Sequence, residues 1–186
     1  MRQIRINGLQ RVVLGIAGAM VFAGGALAQH FGSGIGVTGA TFVLTKRYLV
    51  NAGKVELQPM GQFGTGWVGD KQLFWSGGAP GAVLDLGFTV EKEGRYDVTL
   101  SLTRAPDYAR LKVEVDGQAS SVSPDPYAPT VMPPAPWKLG TFALRPGSRK
   151  VSLMIIGKHP KSTGYFVGVN HLRLEPVAPE GSGRSR

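Results

Sequence analysis

The chain has 186 residues, no cysteine, 42% hydrophobic and 18% charged residues, and a formal net charge of +9. That length suits one domain of ordinary size with an appendage, and the lack of cysteine excludes a disulfide framework, a thiol nucleophile and a lipidated N-terminal cysteine. The basic residues fall in small clusters (Lys46-Arg47, Arg149-Lys150, Lys158 with Lys161); no basic stripe or recognition helix accompanies them, which argues against a nucleic-acid partner and for a solvated basic surface.

The appendage comes first. Arg2, Arg5 and Arg11 precede the uncharged apolar run Val12 to Gly25, and Ala26-Leu27-Ala28 supplies small residues where a signal peptidase reads. This pattern predicts a signal peptide over residues 1–28, cleaved before Gln29, and an exported protein, periplasmic or extracellular. Membrane contact is expected only if the segment stays uncleaved, and its apolar stretch is short for a span of about 20 residues. Taking the three leader arginines from the 21 basic residues leaves 18 against 12 acidic ones, a net of +6.

Residues 29–39 are glycine-rich without periodicity and read as a flexible arm. A β-sandwich domain is expected over residues 40–177, starting with a strand in Ala40 to Val50. Val55-Glu56-Leu57 is a second short alternation, and Gly61 to Asp70 is a loop carrying Trp67. The period-2 signal then becomes strong. Leu84, Leu86, Phe88 and Val90 alternate with other residues, as do Tyr96, Val98, Leu100 and Leu102, and then Leu111, Val113 and Val115. Mostly polar residues lie between them (Thr99, Ser101, Thr103; Lys112, Glu114), as in a sheet with one core face and one wet face. Asp116-Gly117 marks a hairpin turn.

Ser120 to Trp137 holds six prolines, and since proline removes ladder donors the segment is expected to be a surface excursion. Leu139 to Leu144 resumes strand character, followed by Val151, Leu153 and Ile155. In the last run Val167 and Val169 share one phase and Leu172 and Leu174 the other, which predicts a bulge near Asn170. Residues 178–186 read as a disordered tail. The whole predicts an all-β protein, an antiparallel β-sandwich of about eight strands.

Several of these segments resemble the galactose-binding-domain-like jelly rolls used as carbohydrate-binding modules. Families 6 and 35 are one relation, and the accessory β-domain of glycoside hydrolase family 172 proteins is another. The resemblance rests on Ala105-Pro106-Asp107-Tyr108, Asp116-Gly117, Asp125-Pro126-Tyr127, Leu139-Gly140 and the closing stretch GKHPKSTGYFVGVNHLRLEP, Gly157 to Pro176. His159 stands where the family has Asn, and Asn170 where it has Asp. The resemblance implies a jelly roll whose partner is a carbohydrate or polysaccharide. Modules of this kind often hold a structural calcium, for which the resemblance offers Glu56 and Asn170; with one carboxylate fewer than usual, a hydrogen-bonding Asn170 in the bulge is the favoured alternative.

Catalytic patterns are weak. His30, His159 and His171 show no metal-ligand spacing, and Ser33 lies in a Gly-Ser-Gly run and not on a strand-to-helix elbow. Asp107 and Asp125 are the tempting carboxylate pair for glycoside hydrolysis, but an Asp beside Pro or a turn commonly bonds its own backbone. The chain is therefore read as a non-enzyme. Sugar recognition needs aromatic faces flanked by polar groups. The candidates are Asp107, Tyr108, Asp125, Tyr127, Trp137, Lys158, Ser162 and Tyr165, with Trp75 and Trp67 expected as core plugs. The competing expectation is a structural or protein-interaction domain of the envelope, contacting a protein partner through the basic face and the proline-rich segment.

Overall fold

The computed structural model describes residues 29–31 and 34–178; the proposed signal peptide and nearly all of the tail lie outside the described residues. Seven strands form one antiparallel sheet: β1 (Gln29–Phe31), β2 (Gly34–Thr38), β4 (Lys54–Pro59), β5 (Lys71–Ser76), β7 (Gly94–Arg104), β10 (Met132–Leu144) and β12 (Val167–Pro176). Five form the other: β3 (Tyr48–Val50), β6 (Val83–Val90), β8 (Ala109–Val115), β9 (Gln118–Ala119) and β11 (Gly147–Lys158). The predicted alternation is what builds the core. Leu84, Leu86, Leu111, Val113, Leu153 and Ile155 of the small sheet are fully buried with Leu73, Trp75, Leu100, Leu102, Val169 and Leu172 of the large one. Burying each such side chain contributes roughly 1.5–3 kcal/mol, so the fold is held without disulfides. No helix among the described residues is long and apolar enough to cross a membrane.

The large sheet is organised around β12. One edge of β12 pairs with β7; the other pairs first with β5, at Val167 to Val169, and then with β2, at His171 to Leu174. The changeover coincides with the register shift between Val169 and His171, at the predicted bulge. There the chain leaves β2 as a short helix, α1 (Gly39–Leu44), capped by Thr38, whose Oγ1 accepts the Thr41 N–H at 3.1 Å.

Four expectations need correction. Within the expected flexible arm, β1 and β2 are strands, and Ile35 and Val37 of β2 enter the core. The glycines flanking those residues hide the alternation. The expected strand over Ala40 to Val50 is α1 followed by β3, because the Thr38 cap and the fully buried Phe42 favour a helical turn. Among the described residues the sandwich has twelve strands where about eight were expected, the extra ones being mostly short edges. The proline-rich excursion ends at Met132, where β10 begins; Pro133, Pro134 and Pro136 are tolerated because β10 pairs only with β7 and its far edge needs no donors.

Candidate functional site

Three of the singled-out segments meet at one end of the sandwich, and backbone hydrogen bonds stitch them together. The Ala105 N–H donates to the Pro126 carbonyl at 3.0 Å and the Ala128 N–H to the Ala105 carbonyl at 3.2 Å. The Thr163 N–H donates to the Pro106 carbonyl and the Phe166 N–H to the Asp107 carbonyl, each at 3.0 Å. The turn after β7, the segment around Asp125 and the loop before β12 therefore form one surface. Gly164 permits the closest approach, since a Cβ there would lie 2.8 Å from the Asp107 carbonyl oxygen.

On this surface the rings of Tyr127 and His159 stack, centroids 4.1 Å apart and planes 6° from parallel. The Lys161 N–H donates to His159 Nδ1 at 3.2 Å, which leaves Nε2 to carry the proton of the neutral ring. Lys158 Nζ sits 4.9 Å from the centroid of the Tyr165 ring, a cation–π arrangement. Asp125 is ion-paired with Arg110 at 3.5 Å. Burial pushes the half-buried Asp107 carboxyl above its ordinary value, and a backbone hydrogen bond partly opposes the shift.

The other candidates sit elsewhere or deeper. Tyr108 is only 4% exposed and so offers no ring face to solvent, correcting its reading as a stacking platform. Ser162 is likewise buried, its hydroxyl donating to the Tyr108 carbonyl at 2.9 Å; it latches the loop. Trp137 lies on β10 and packs its half-buried ring against the core.

The sequence reading missed the polar network that holds Tyr108. Thr103 and Ser101, expected on a wet face, are buried, Thr103 against Trp67 of the 61–70 loop and Ser101 against His171. Trp67 Nε1–H donates to Thr103 Oγ1 at 2.7 Å, and the Thr103 hydroxyl donates to Gln72 Oε1. Gln72 Nε2–H donates in turn to Gln58 Oε1 at 2.6 Å and to the Tyr108 hydroxyl at 3.1 Å. Trp75 is buried in the core, as expected of a plug; Trp67 is buried as well, but outside the core, against Thr103.

The implied calcium pair does not fit. Asn170 is 1% exposed; its Oδ1 accepts the Val68 N–H at 3.2 Å and its Nδ2 donates to the Lys71 carbonyl at 3.1 Å, while Glu56 pairs with Lys54 at 2.6 Å. Among the described residues no three His, Cys, Asp or Glu side chains group to hold a metal.

Ser101, His171 and Asn170 form a hydrogen-bonded line, with Ser101 Oγ to His171 Nε2 at 3.2 Å and His171 Nδ1 to Asn170 Oδ1 at 3.1 Å. It resembles a nucleophile–base–orienter set. Ser101 is 3% exposed in mid-strand, however, and Asn170 brings no charge to stabilise an imidazolium. Burial, helped by the charge of Arg173, lowers the His171 pKa, so the fold favours the neutral ring. That contribution is complete above the ordinary value near 6.5 and is lost as pH falls through the lower folded value. Urea midpoints should therefore drop below pH 6.5, and His171→Gln should flatten part of that slope.

No protein-family model and no curated protein sequence matches the chain. Solved structures do match its fold. A Paenibacillus xanthan lyase aligns with TM-score 0.61 and 18% identity, over 71% of this chain and 13% of the lyase. A Podospora anserina β-(1,4)-mannanase of the GH26-CBM35 type aligns with TM-score 0.53 and 12% identity, over 81% of this chain and 29% of the enzyme. The CBM35 module of Paenibacillus barcinonensis aligns with TM-score 0.52 and 9% identity, over 76% of this chain and 98% of the module. The chain thus spans a small part of the two enzymes and nearly the whole of the module. Its fold is the galactose-binding-like jelly roll of carbohydrate-binding modules.

Proposed function

We propose that the chain is an exported, non-catalytic module that binds carbohydrate through the loop cluster at one end of its jelly roll. The observation that carries this reading is the stacked Tyr127–His159 pair, set among Lys158, Tyr165 and Asp107 where three loops meet. A pyranose presents an apolar C–H face to an aromatic ring and hydroxyls to polar neighbours. Each ring of the pair holds the plane of the other, so less side-chain freedom is lost on binding. Asp107, Lys158 and Nε2 of His159 supply acceptor and donors at the rim. The complete CBM35 module that shares the fold supports a binding role over a catalytic one.

Retention on a panel of neutral and acidic polysaccharides is the test. Tyr127→Ala should weaken retention about tenfold, the loss of roughly 1.4 kcal/mol of stacking, with the thermal midpoint little changed. Tyr108→Phe, which alters a buried hydroxyl, should leave retention intact. Failure of every glycan to bind would overturn the reading. Capture of one stoichiometric protein partner, independent of sugar, would favour the envelope interaction domain instead. Export is tested separately, by the intact mass of the secreted protein, expected to begin at Gln29.

A further inference from the structure

A recess lies on the outer face of the large sheet, further along β12. It is a cleft of about 240 Å³, floored by the paired backbones of β2 and β12 around Gly36 and walled by Thr38, Val68, His171 and Arg173. An apolar cavity of about 150 Å³ takes up benzene, so this volume suits one substituted ring.

The polar groups of the walls decide what kind of ring. Asn170 Oδ1 accepts the Val68 N–H and also faces His171 Nδ1, which places the imidazole proton on Nδ1. His171 Nε2 is then the acceptor for the Ser101 hydroxyl. Both ring nitrogens are satisfied within the protein, and the imidazole offers the cleft only carbon edge and face. Thr38 Oγ1 accepts the Thr41 N–H and exchanges a hydrogen bond with the Thr41 hydroxyl at 2.9 Å. That leaves Arg173, whose guanidinium contacts Glu175 at 2.8 Å in an exposed pair of the kind water screens.

A polyol needs acceptors for its hydroxyl protons, and these walls have spent theirs. A flat apolar body with an anionic head needs only what is present: a backbone floor, an apolar wall and a cation. We propose that the cleft binds a small aromatic carboxylate, its ring between Val68 and His171 and its carboxylate on Arg173. The inference does not depend on the loop cluster binding sugar.

Benzoate and benzyl alcohol, titrated into the full chain and followed by amide chemical shifts, provide the test. Benzoate should shift the Gly36, Val68 and His171 amides with a dissociation constant on the order of millimolar. Benzyl alcohol, the uncharged analogue, should bind at least fivefold more weakly. Arg173→Gln should bring benzoate down to the level of benzyl alcohol with an unchanged unfolding midpoint, and Val68→Glu should weaken both. Equal binding of the two probes would overturn the assignment. So would shifts confined to Lys158 and Lys161, which would mean that the carboxylate merely samples the basic loop.

Discussion

Gly39→Ala is expected to unfold most of the domain's margin of stability, costing about 3 kcal/mol or more. A Cβ on Gly39 would overlap the Val169 carbonyl oxygen and lie 2.6 Å from the Leu73 backbone nitrogen. Those atoms belong to β12 and β5, which pair at that point. Neither can swing aside as a flexible side chain could. Either the two strands part, or α1 lifts and draws the fully buried Phe42 from the core. Urea unfolding measures the loss. Gly61→Ala is the control, because its Cβ would meet nothing within 4 Å. A Gly39→Ala midpoint equal to the control's would show that the helix start moves freely, contrary to the packing described.

The second large effect is expected at Gln72, a fully buried side chain hydrogen-bonded to three others. Gln72→Leu keeps most of the volume but strips the Thr103 hydroxyl of its acceptor and the Tyr108 hydroxyl of its donor. Each buried polar group so orphaned costs about 1–3 kcal/mol, which puts the total near 3 kcal/mol. The cost should be local as well as global. Trp67 is pinned to this network through Thr103, so the 61–70 loop should exchange amide hydrogens faster and become more sensitive to proteolysis. Tyr108→Phe removes only one acceptor and should cost about 1 kcal/mol. If Gln72→Leu leaves both the midpoint and loop exchange unchanged, the network is not what holds the loop.

These two positions show how unevenly the fold was legible. Leu84 to Val90, Tyr96 to Leu102 and Leu111 to Val115 alternate with period two and reach the core as read, because strand geometry maps that period directly onto two faces. The bulge at Asn170 was visible as a change of phase. Gly34 to Val37 was not, since two glycines interrupt the pattern and the pairing with distant β12 supplies what local propensity lacks. Alternation also cannot distinguish a wet face from one that a loop covers. Thr103 and Ser101 therefore read as solvent-facing although Trp67 covers the first and His171 meets the second.

The candidate site divides in the same way. Sequence alone determined that Asp107, Asp125, Tyr127 and Tyr165 stand in turns and loops of a jelly roll, since turn chemistry and the spacing of strands are local properties; Lys158, read as a loop residue, is instead the last residue of β11. Only the tertiary structure decided which of those loops meet, through backbone hydrogen bonds between residues far apart in the chain. It turned Tyr108 and Ser162 inward, stacked Tyr127 on His159, and committed Asn170 to the backbone around Val68 and Lys71 in place of a metal. The physical reason is that a ring or hydroxyl faces water or core according to what the rest of the chain lays over it, and no run of neighbouring residues carries that information.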